Sequence, residues 1–341
     1  MLCSESNSMP DKSGSTPLVS VILPSYNYAR YLPERIESIL SQSMQDFELI
    51  LLDDASTDGS ADILRSYADC DKVTALNINS ANSGSPFSQW LQGISLARGK
   101  YIWIAEADDL ATPDFLEKSV AVMERHPECV LAFSGSVCID SEGRHIGIDH
   151  DRWEEKRKPP KPDSFSIFSG HDYIRRNLYW RSYIYNASGV IFRRDVLSGA
   201  RREQAGKSAS MRNSGDWLFW TVVASAGHVA EIYSKTNRFR IHQSSTTSQG
   251  NASGRRLRED IAVVHFIEQN YRISPLRRLI RHGALEKCIR RLKVTVSEKS
   301  TINLLLRHTF GHSPFAYPAE RICKTLASCL PAIPSERSDR L

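Results

Sequence analysis

Phe47-Glu48-Leu49-Ile50-Leu51-Leu52-Asp53-Asp54 is a short apolar run that ends in two carboxylates, and this stretch decides the fold. A second run of the same kind, Tyr101-Ile102-Trp103-Ile104-Ala105, leads into Glu106-Ala107-Asp108-Asp109. Turn-forming residues follow both runs, Ala55-Ser56-Thr57-Asp58-Gly59 after the first and Thr112-Pro113 after the second. Short apolar segments bounded by turns are typical of buried strands in a parallel sheet.

The two acidic clusters are expected to meet at one edge of that sheet. In open α/β sheets, ligands bind in a crevice beyond the carboxyl ends of the strands. Carboxylates brought together there repel each other unless a divalent cation or a ligand offsets their charge. The pattern therefore predicts a metal-dependent enzyme that handles a phosphorylated ligand.

Strands and helices alternate around these two runs. Strands are predicted over residues 19–23, 47–52, 73–78, 101–105 and 129–139, and helices from Pro33 and over 61–67, 86–97 and 113–126. This alternation predicts an α/β fold with a doubly wound, mostly parallel sheet. Beyond residue 255 the spacing of apolar residues predicts a C-terminal helical appendage.

The 341 residues suffice for one large α/β domain and an appendage. Three segments are predicted: a disordered, Ser-rich tail over 1–17, a main domain over 18–250, and a basic helical region over 251–341. The tail lacks the apolar stretch of a signal peptide, and no window approaches the roughly 18 apolar residues of a membrane span. Seven scattered cysteines without a CxxC pair predict a reduced, cytoplasmic compartment.

Basic residues are concentrated near the C-terminus, where residues 255–341 hold 17 Lys and Arg against 8 Asp and Glu. Residues 276–294 combine seven of these basic residues with an apolar stripe. One interpretation is peripheral contact with the anionic inner face of a membrane, and the other is a solvated face on a packed helix. Nucleic acid is not expected as a partner, because interleaved aromatic residues are missing.

Five segments in a fixed order carry a resemblance to a known family. They are VSVILPSYNYARYL (19–32), Ser41-Gln42-Ser43 before Phe47-Glu48-Leu49, DDASTDGS (53–60), ARGKYI (97–102) and EADD (106–109). The set resembles the inverting family 2 glycosyltransferases with a GT-A fold, over roughly residues 18–250. The resemblance implies a nucleotide-binding half over 18–110 and an acceptor-side half over 111–250.

The resemblance implies that Pro24, Tyr26 and Asn27 form part of the nucleotide-sugar site, with Tyr26 against the base. Asp53 and Asp54 end the second strand, and Asp54 is expected to accept a hydrogen bond from the base. An alternative from the residues alone is that both carboxylates cap the following turn.

The resemblance also implies that Asp108 ligates Mg²⁺ or Mn²⁺ on the donor diphosphate. Glu106 stands where the family more commonly has Asp, and it is the second candidate for metal or donor contact. Hard divalent cations prefer carboxylate and phosphate oxygens, which agrees with this assignment. Asp109 could instead cap the helix predicted near Pro113.

In Ser214-Gly215-Asp216-Trp217-Leu218-Phe219-Trp220, Asp216 matches the catalytic base, and Gly215 replaces the usual preceding acid. A simpler interpretation makes Asp216 the N-cap of a helix over 217–224. His242, in a segment that resembles the loop closing over the diphosphate, is a candidate donor contact or an ordinary surface histidine.

These matches predict transfer of one sugar from a nucleotide-diphosphate sugar to a hydroxyl of a glycan or lipid-linked acceptor, in cell-surface glycan or polysaccharide biosynthesis. A processive synthase is not expected, because the chain lacks membrane spans and a QxxRW motif. A dinucleotide enzyme is not expected either, because no GxGxxG occurs. Two alternatives stay open: a nucleotide-sugar-binding protein with impaired catalysis, and a sugar nucleotidyltransferase. A nucleotidyltransferase would be expected to have a Gly-rich loop after the first strand, where this chain has Pro24-Ser25-Tyr26-Asn27.

Overall fold

The structure is a computed structural model, and it describes residues 16–150, 161, 163–242, 254–311, 313–318 and 337–340. Apart from residues 16 and 17, the tail predicted over 1–17 lies outside the described residues. The strands are β1 (Val19–Ser25), β2 (Phe47–Asp53), β3 (Val73–Ile78), β4 (Tyr101–Ile104), β5 (Leu110–Ala111), β6 (Cys129–Ile139), β7 (His145–His150), β8 (Ser164–Ser169), β9 (Val190–Arg193), β10 (His228–Arg240) and β11 (Arg337–Arg340).

One mixed sheet contains these strands in the order β11-β8-β10-β6-β9-β4-β1-β2-β3, with β5 paired to β10 and β7 to β6. The side formed by β3, β2, β1 and β4 is parallel throughout. Every residue of β1 and β2 is buried, since helices cover both faces, and this explains their continuous apolar runs. The predicted parallel arrangement is therefore confirmed for this side.

The other side of the sheet is mixed. β9 runs antiparallel to both β4 and β6, and β10 is parallel to β6 but antiparallel to β8. Strand direction depends on how the chain returns to the sheet, and an apolar run does not reveal it. This side of the sheet therefore departs from the expectation of a mostly parallel sheet.

The helices are α1 (Leu32–Leu40), α2 (Ser60–Ser66), α3 (Pro86–Leu96), α4 (Phe115–Arg125), α5 (Gly170–Tyr173), α6 (Gly199–Gly206), α7 (Gly215–Ala224), α8 (Arg255–Asn270), α9 (Pro275–Arg291) and α10 (Val296–Phe310). In α1 and α3 a proline occupies the first turn, where its missing N–H costs nothing. The helices predicted before residue 127 are all present, with their ends shifted by two residues at most. No described helix combines the length and apolar character needed to cross a membrane.

Two hydrophobic clusters lie on opposite faces of the sheet. Neighbouring residues of β1 alternate between them, so Ile22 belongs to one cluster and Val21 and Leu23 to the other. The cluster that contains Ile22 continues into α7 and into the three C-terminal helices.

Each of the C-terminal helices buries some of its apolar residues in the protein, while Leu276, Val296 and Leu304 stay exposed. Leu257 and Ile261 of α8, Leu285 and Ile289 of α9, and Ile302 of α10 are buried in the same cluster as α7. The apolar stripe predicted over 276–294 is thus largely used in packing, which favours the packed-helix interpretation. The predicted boundary at residue 250 does not separate two hydrophobic cores.

Candidate active site

A cavity of about 300 Å³ lies beyond the carboxyl ends of β1, β2 and β4. Its described lining residues are Pro24, Ser25, Tyr26, Asn27, Tyr28, Asp54, Asn82, Gly84, Ser85, Pro86, Gln89, Glu106 and Arg212. Asp54 and Glu106 come from the two acidic strand ends, so the expectation that these ends converge on one crevice is confirmed.

The loop after β1 forms one wall of the cavity. Tyr26 is 42% exposed, so its ring is available for stacking. Asn27 has a left-handed backbone (φ 58°), and its Oδ1 accepts a hydrogen bond from the Thr57 N–H at 2.8 Å. The Asn27 N–H donates to the Ser56 hydroxyl at 2.9 Å. These two bonds fix the loop that carries Tyr26 to the turn after β2.

Asp53 and Asp54 have different roles. Asp53 is fully buried, and one of its oxygens accepts the Ser56 N–H at 2.9 Å, as the turn-capping interpretation predicts. Asp54 accepts from the side chains of Asn79, Ser83 and Gln89 and from the Ser83 N–H, at 2.8 to 3.1 Å. These four donors already occupy the roughly four acceptor positions of a carboxylate. Asp54 therefore shapes the cavity, and its expected bond to the base would compete with bonds already formed.

Three carboxylates crowd the end of β4. Glu106 accepts the indole N–H of Trp90 at 2.7 Å, yet burial and the nearby Asp108 raise the pKa of Glu106 to about 8. Burial and Asp108 likewise raise the pKa of Asp109 to about 7. Burial is the main cause of both shifts and repulsion from Asp108 is the second, and a cation bound there would reduce that repulsion.

Asp109 joins three parts of the chain. One oxygen accepts the Arg240 N–H at 2.9 Å, and the other accepts from Asn186 at 2.9 Å and Ser188 at 2.7 Å. The alternative that Asp109 caps the next helix is wrong, because α4 begins only after Asp114. The carboxylate instead links β10 and the turn before β9 to the end of β4.

His242 contacts the metal-ligand candidate directly. Its Nε2 lies 2.9 Å from Oδ2 of Asp108, and its side chain is only 6% exposed. The ring packs between Tyr28 and Tyr31, at centroid distances of 5.8 and 5.6 Å. The Tyr28 hydroxyl also bonds Asp108, and burial holds the pKa of Tyr28 well above its usual range. The His242 ring is thus largely buried and satisfied by Asp108, and its contact with the donor stays a prediction.

Two buried arginines lie beside the acidic cluster, and neither was predicted from the sequence. Arg35 is fully buried with its guanidinium 5.0 Å from the centre of the Trp103 ring, and burial lowers its pKa to about 10. Arg240 donates to the Asp108 carbonyl at 2.7 Å and to Glu34 at 3.0 Å. Arg35 falls on the apolar face of α1, between Leu32 and the isoleucines, and this position was a signal for its burial.

Asp216 lies in the first turn of α7, two residues after the N-cap Ser214. The alternative that Asp216 is itself the N-cap is therefore wrong. Burial raises the pKa of Asp216 to about 7, while the Trp217 N–H and Arg256 act in the opposite direction. A carboxylate with such a pKa binds a proton more readily than an ordinary aspartate does.

Packing explains why residue 215 is a glycine. A Cβ at this position would lie 2.5 Å from two ring carbons of Phe87, and Phe87 is buried in α3. Any larger residue, including the acid expected by resemblance, would displace this ring. Phe87 follows Ser85 and Pro86, which line the cavity, and Ser85 donates to the Met211 carbonyl at 2.6 Å. The chain before α7 is thereby held at the cavity edge.

Arg212, in the turn before α7, is an exposed cavity-lining residue that the sequence reasoning missed. It is the only cationic side chain among the described residues that line the cavity. Its position depends on the turn before α7, in the part of the sequence where helix and strand patterns are weakest. A guanidinium at this edge is suited to an anionic ligand group.

Residues 20–199 match the family model described as Glycosyl transferase family 2. The chain belongs to this family. Among relatives, the putative teichuronic acid biosynthesis glycosyltransferase TuaG of Bacillus subtilis is 37% identical over 128 residues, 37% of this chain and 50% of TuaG. The putative glycosyltransferase EpsE of the same organism is 43% identical over 131 residues, 38% of this chain and 46% of EpsE. The chain spans about half the length of these curated relatives.

Solved structures show the GT-A fold for this family 2 member. Residues 1–349 of TarS from S. aureus, in complex with UDP-GlcNAc, align with a TM-score of 0.60 and 15% identity over 95% of this chain and 96% of that one. A mannosyltransferase from Pyrobaculum calidifontis, in complex with GDP-Man and Mn²⁺, aligns with a TM-score of 0.52 and 17% identity, covering 95% of this chain and 83% of that one.

The donor atoms at the end of β4 suit a cation shared with a ligand. Within the described part of the chain, no group of three or more His, Cys, Asp or Glu could hold a metal ion alone. Mg²⁺ and related ions commonly use one or two carboxylates and complete their coordination with substrate phosphates and water. Asp108, with Glu106 beside it, has the carboxylate chemistry of such a set, and the charge of Asp108 raises the pKa values of Glu106 and Asp109.

Proposed function

We propose that this glycosyltransferase moves one sugar from a nucleotide-diphosphate sugar to a hydroxyl of a glycan or lipid-linked acceptor, with inversion, during cell-surface glycan or polysaccharide biosynthesis. The observation that carries the proposal is one cavity lined by the exposed ring of Tyr26, by Arg212, and by Glu106 at the acidic end of β4. The ring suits a nucleobase, the guanidinium suits a diphosphate, and the acids suit a cation.

On the donor side, Pro24, Tyr26 and Asn27 would bind the nucleotide. Mg²⁺ or Mn²⁺ is the proposed cofactor, with Asp108 as its ligand and Glu106 as the second candidate. A bound cation of this kind would offset the charge of the diphosphate leaving group. Asp108 is oriented by His242 at 2.9 Å, and Arg240 fixes the backbone of the same residue at 2.7 Å.

On the acceptor side, Asp216 would take the proton from the acceptor hydroxyl. The oxygen then attacks the anomeric carbon from the face opposite the diphosphate, which inverts the configuration. A base with a pKa near the working pH is efficient, because it is ionised and still has high proton affinity. The pKa of about 7 for Asp216 fits this role.

The alternative of a nucleotide-sugar-binding protein with impaired catalysis loses part of its support. One of the two observations behind this alternative was that Gly215 replaces the usual acid. The close approach of Phe87 now accounts for a glycine at that position. The site of action proposed is the cytoplasm, with peripheral membrane contact through the exposed basic residues of α9 as a further part of the proposal.

The test is to incubate the full chain with a panel of nucleotide-diphosphate sugars, with Mn²⁺, Mg²⁺ or EDTA, and with glycan acceptors. Metal-dependent nucleotide release that requires an acceptor, together with a product one sugar heavier by mass spectrometry, supports the proposal. Tight donor binding without release for any acceptor supports the impaired alternative. Release of the sugar 1-phosphate from a donor treated with pyrophosphate supports the nucleotidyltransferase.

A further inference from the structure

Three consecutive backbone N–H groups before α7 are held by one carboxylate from the C-terminal helices. Glu259 of α8 accepts from Arg212 at 3.0 Å, from Asn213 at 2.7 Å and from Ser214 at 2.7 Å. One oxygen takes the first N–H and the other takes the remaining two. The next residue, Asp260, accepts the Ser214 hydroxyl at 2.6 Å.

The helix that supplies these carboxylates is rigidly held. Leu257, Ile261, Val263, Val264 and Ile267 of α8 are all buried in the cluster that includes α7. Glu259 therefore reaches the turn from a fixed support. Backbone N–H groups at the start of a helix attract negative charge, because their dipoles align with the helix axis. The carboxylate thus satisfies the N–H of the N-cap Ser214, which the helix itself cannot satisfy, and also those of Arg212 and Asn213 in the turn before it.

The fixed turn joins the two sides of the proposed site. Arg212, at its start, lines the cavity, and Asp216 follows four residues later in the first turn of α7. A shift of the turn would move both side chains together. Misplacement by about 1 Å can lower catalysis about 10²-fold, so the placement matters to the reaction.

We propose that Glu259 is a positioning residue that holds the 212–214 turn and so places Arg212 against the donor and Asp216 against the acceptor. The roles of Arg212 and Asp216 in this statement rest on the proposed function. The C-terminal helical region then takes part in building the active site, in addition to any part it has in cellular location.

The test uses Glu259→Gln in the full chain, with Glu268→Gln as the matched control. Glutamine keeps the size of the side chain, but its NH₂ group faces backbone N–H donors where the second carboxylate oxygen stood. Glu268 lies on the same helix, roughly 13 Å further along its axis. It also accepts two hydrogen bonds, from Tyr179 at 2.6 Å and His282 at 2.9 Å, away from the cavity.

Hydrogen exchange of the peptide that contains residues 212–214 is the first readout, and Glu259→Gln should raise its exchange rate while Glu268→Gln leaves it unchanged. Glu259→Gln should also lower kcat by a factor of about 10 to 100, raise the donor KM, and weaken binding of the nucleoside diphosphate in calorimetry. Glu268→Gln should keep kcat and KM within about twofold of the wild type. If Glu259→Gln does not fold, Glu259→Asp keeps the charge with a shorter reach and should give intermediate exchange.

The inference is overturned if Glu259→Gln, or Glu259→Asp in its place, matches Glu268→Gln in exchange, nucleotide affinity and kinetics. It is also overturned if both glutamine variants lose activity equally and only in proportion to lost stability. A wild-type chain that transfers no sugar contradicts the proposed function instead. In that case exchange and nucleotide affinity still decide whether Glu259 holds the turn and Arg212.

Discussion

The proposed donor side and the proposed acceptor side of the site are built from different parts of the chain. On the donor side, Asp54, Glu106 and Asp108 directly follow buried strands, and the register of β1 with β2 and β4 brings those ends together. On the proposed acceptor side, Asp216 follows a turn whose N–H groups donate to Glu259, which is separated from that turn by more than forty residues. Strand pairing thus brings the first group of carboxylates together, and Arg240 and His242 then bond to Asp108. Near Asp216 the preceding turn is held by hydrogen bonds to a helix and not by strand pairing.

This difference predicts that mutations can affect donor binding and proton transfer separately. Asp216→Asn keeps the shape of the side chain and removes the base. We expect turnover to fall by a factor on the order of 10²–10⁴, with donor affinity near that of the wild type. Steady-state kinetics with a fixed acceptor measures the loss, and a thermal melt of the same variant controls for folding. Retained turnover would assign the proton to another group.

The pH dependence of kcat tests the same assignment of Asp216 as the base. Burial raises the pKa of Asp216 to about 7, so acid protonates the proposed base near neutrality. We expect kcat to fall about tenfold for each pH unit below that value. The residual activity of Asp216→Asn should lack this acid limb. An unchanged limb in the variant would point to Glu106 or Asp109, whose pKa values are also raised towards neutrality.

The packing of Gly215 predicts an effect on stability. In Gly215→Ala the new methyl group would meet the Phe87 ring at 2.5 Å, so we expect a loss of about 1–3 kcal/mol in the free energy of unfolding. Gly206→Ala is the matched control, because nothing lies within 4 Å of its new Cβ. The control should be neutral or stabilising by about 0.4–1 kcal/mol. Equal denaturation midpoints for the two variants would remove the packing explanation.

The smallest effect is expected at the membrane. Arg291 and Lys293 are exposed near the end of α9, whereas Arg281 is buried and Arg290 pairs with Glu286. Each exposed basic residue contributes about 1 kcal/mol near an anionic surface, and salt screens it. The full chain should sediment with anionic vesicles at low salt and less so after Arg291→Ala with Lys293→Ala. Point variants are preferable to truncation, because α8 to α10 share a core with α7.

The sequence allowed much of the donor side to be predicted, because continuous apolar runs mark strands and the acids follow them directly. Helix limits before residue 127 were also predicted to within two residues. The direction of β9 and the contacts of Arg240 were not predicted, since they depend on residues distant in sequence, such as Glu34. Arg212 and Glu259 were missed for the same reason. Asp216 itself was a candidate from the sequence, but the contacts that hold the turn before it could be found only in the folded structure.

The division between the two sides is tested most directly by calorimetric titration of UDP, GDP and dTDP into the wild type, Asp108→Ala and Asp216→Asn, with Mn²⁺ and with EDTA. We predict that one nucleotide binds the wild type and Asp216→Asn equally well in Mn²⁺, and that EDTA or Asp108→Ala weakens this binding strongly. Binding that is the same in EDTA, or that is lost as much in Asp216→Asn as in Asp108→Ala, would contradict the account.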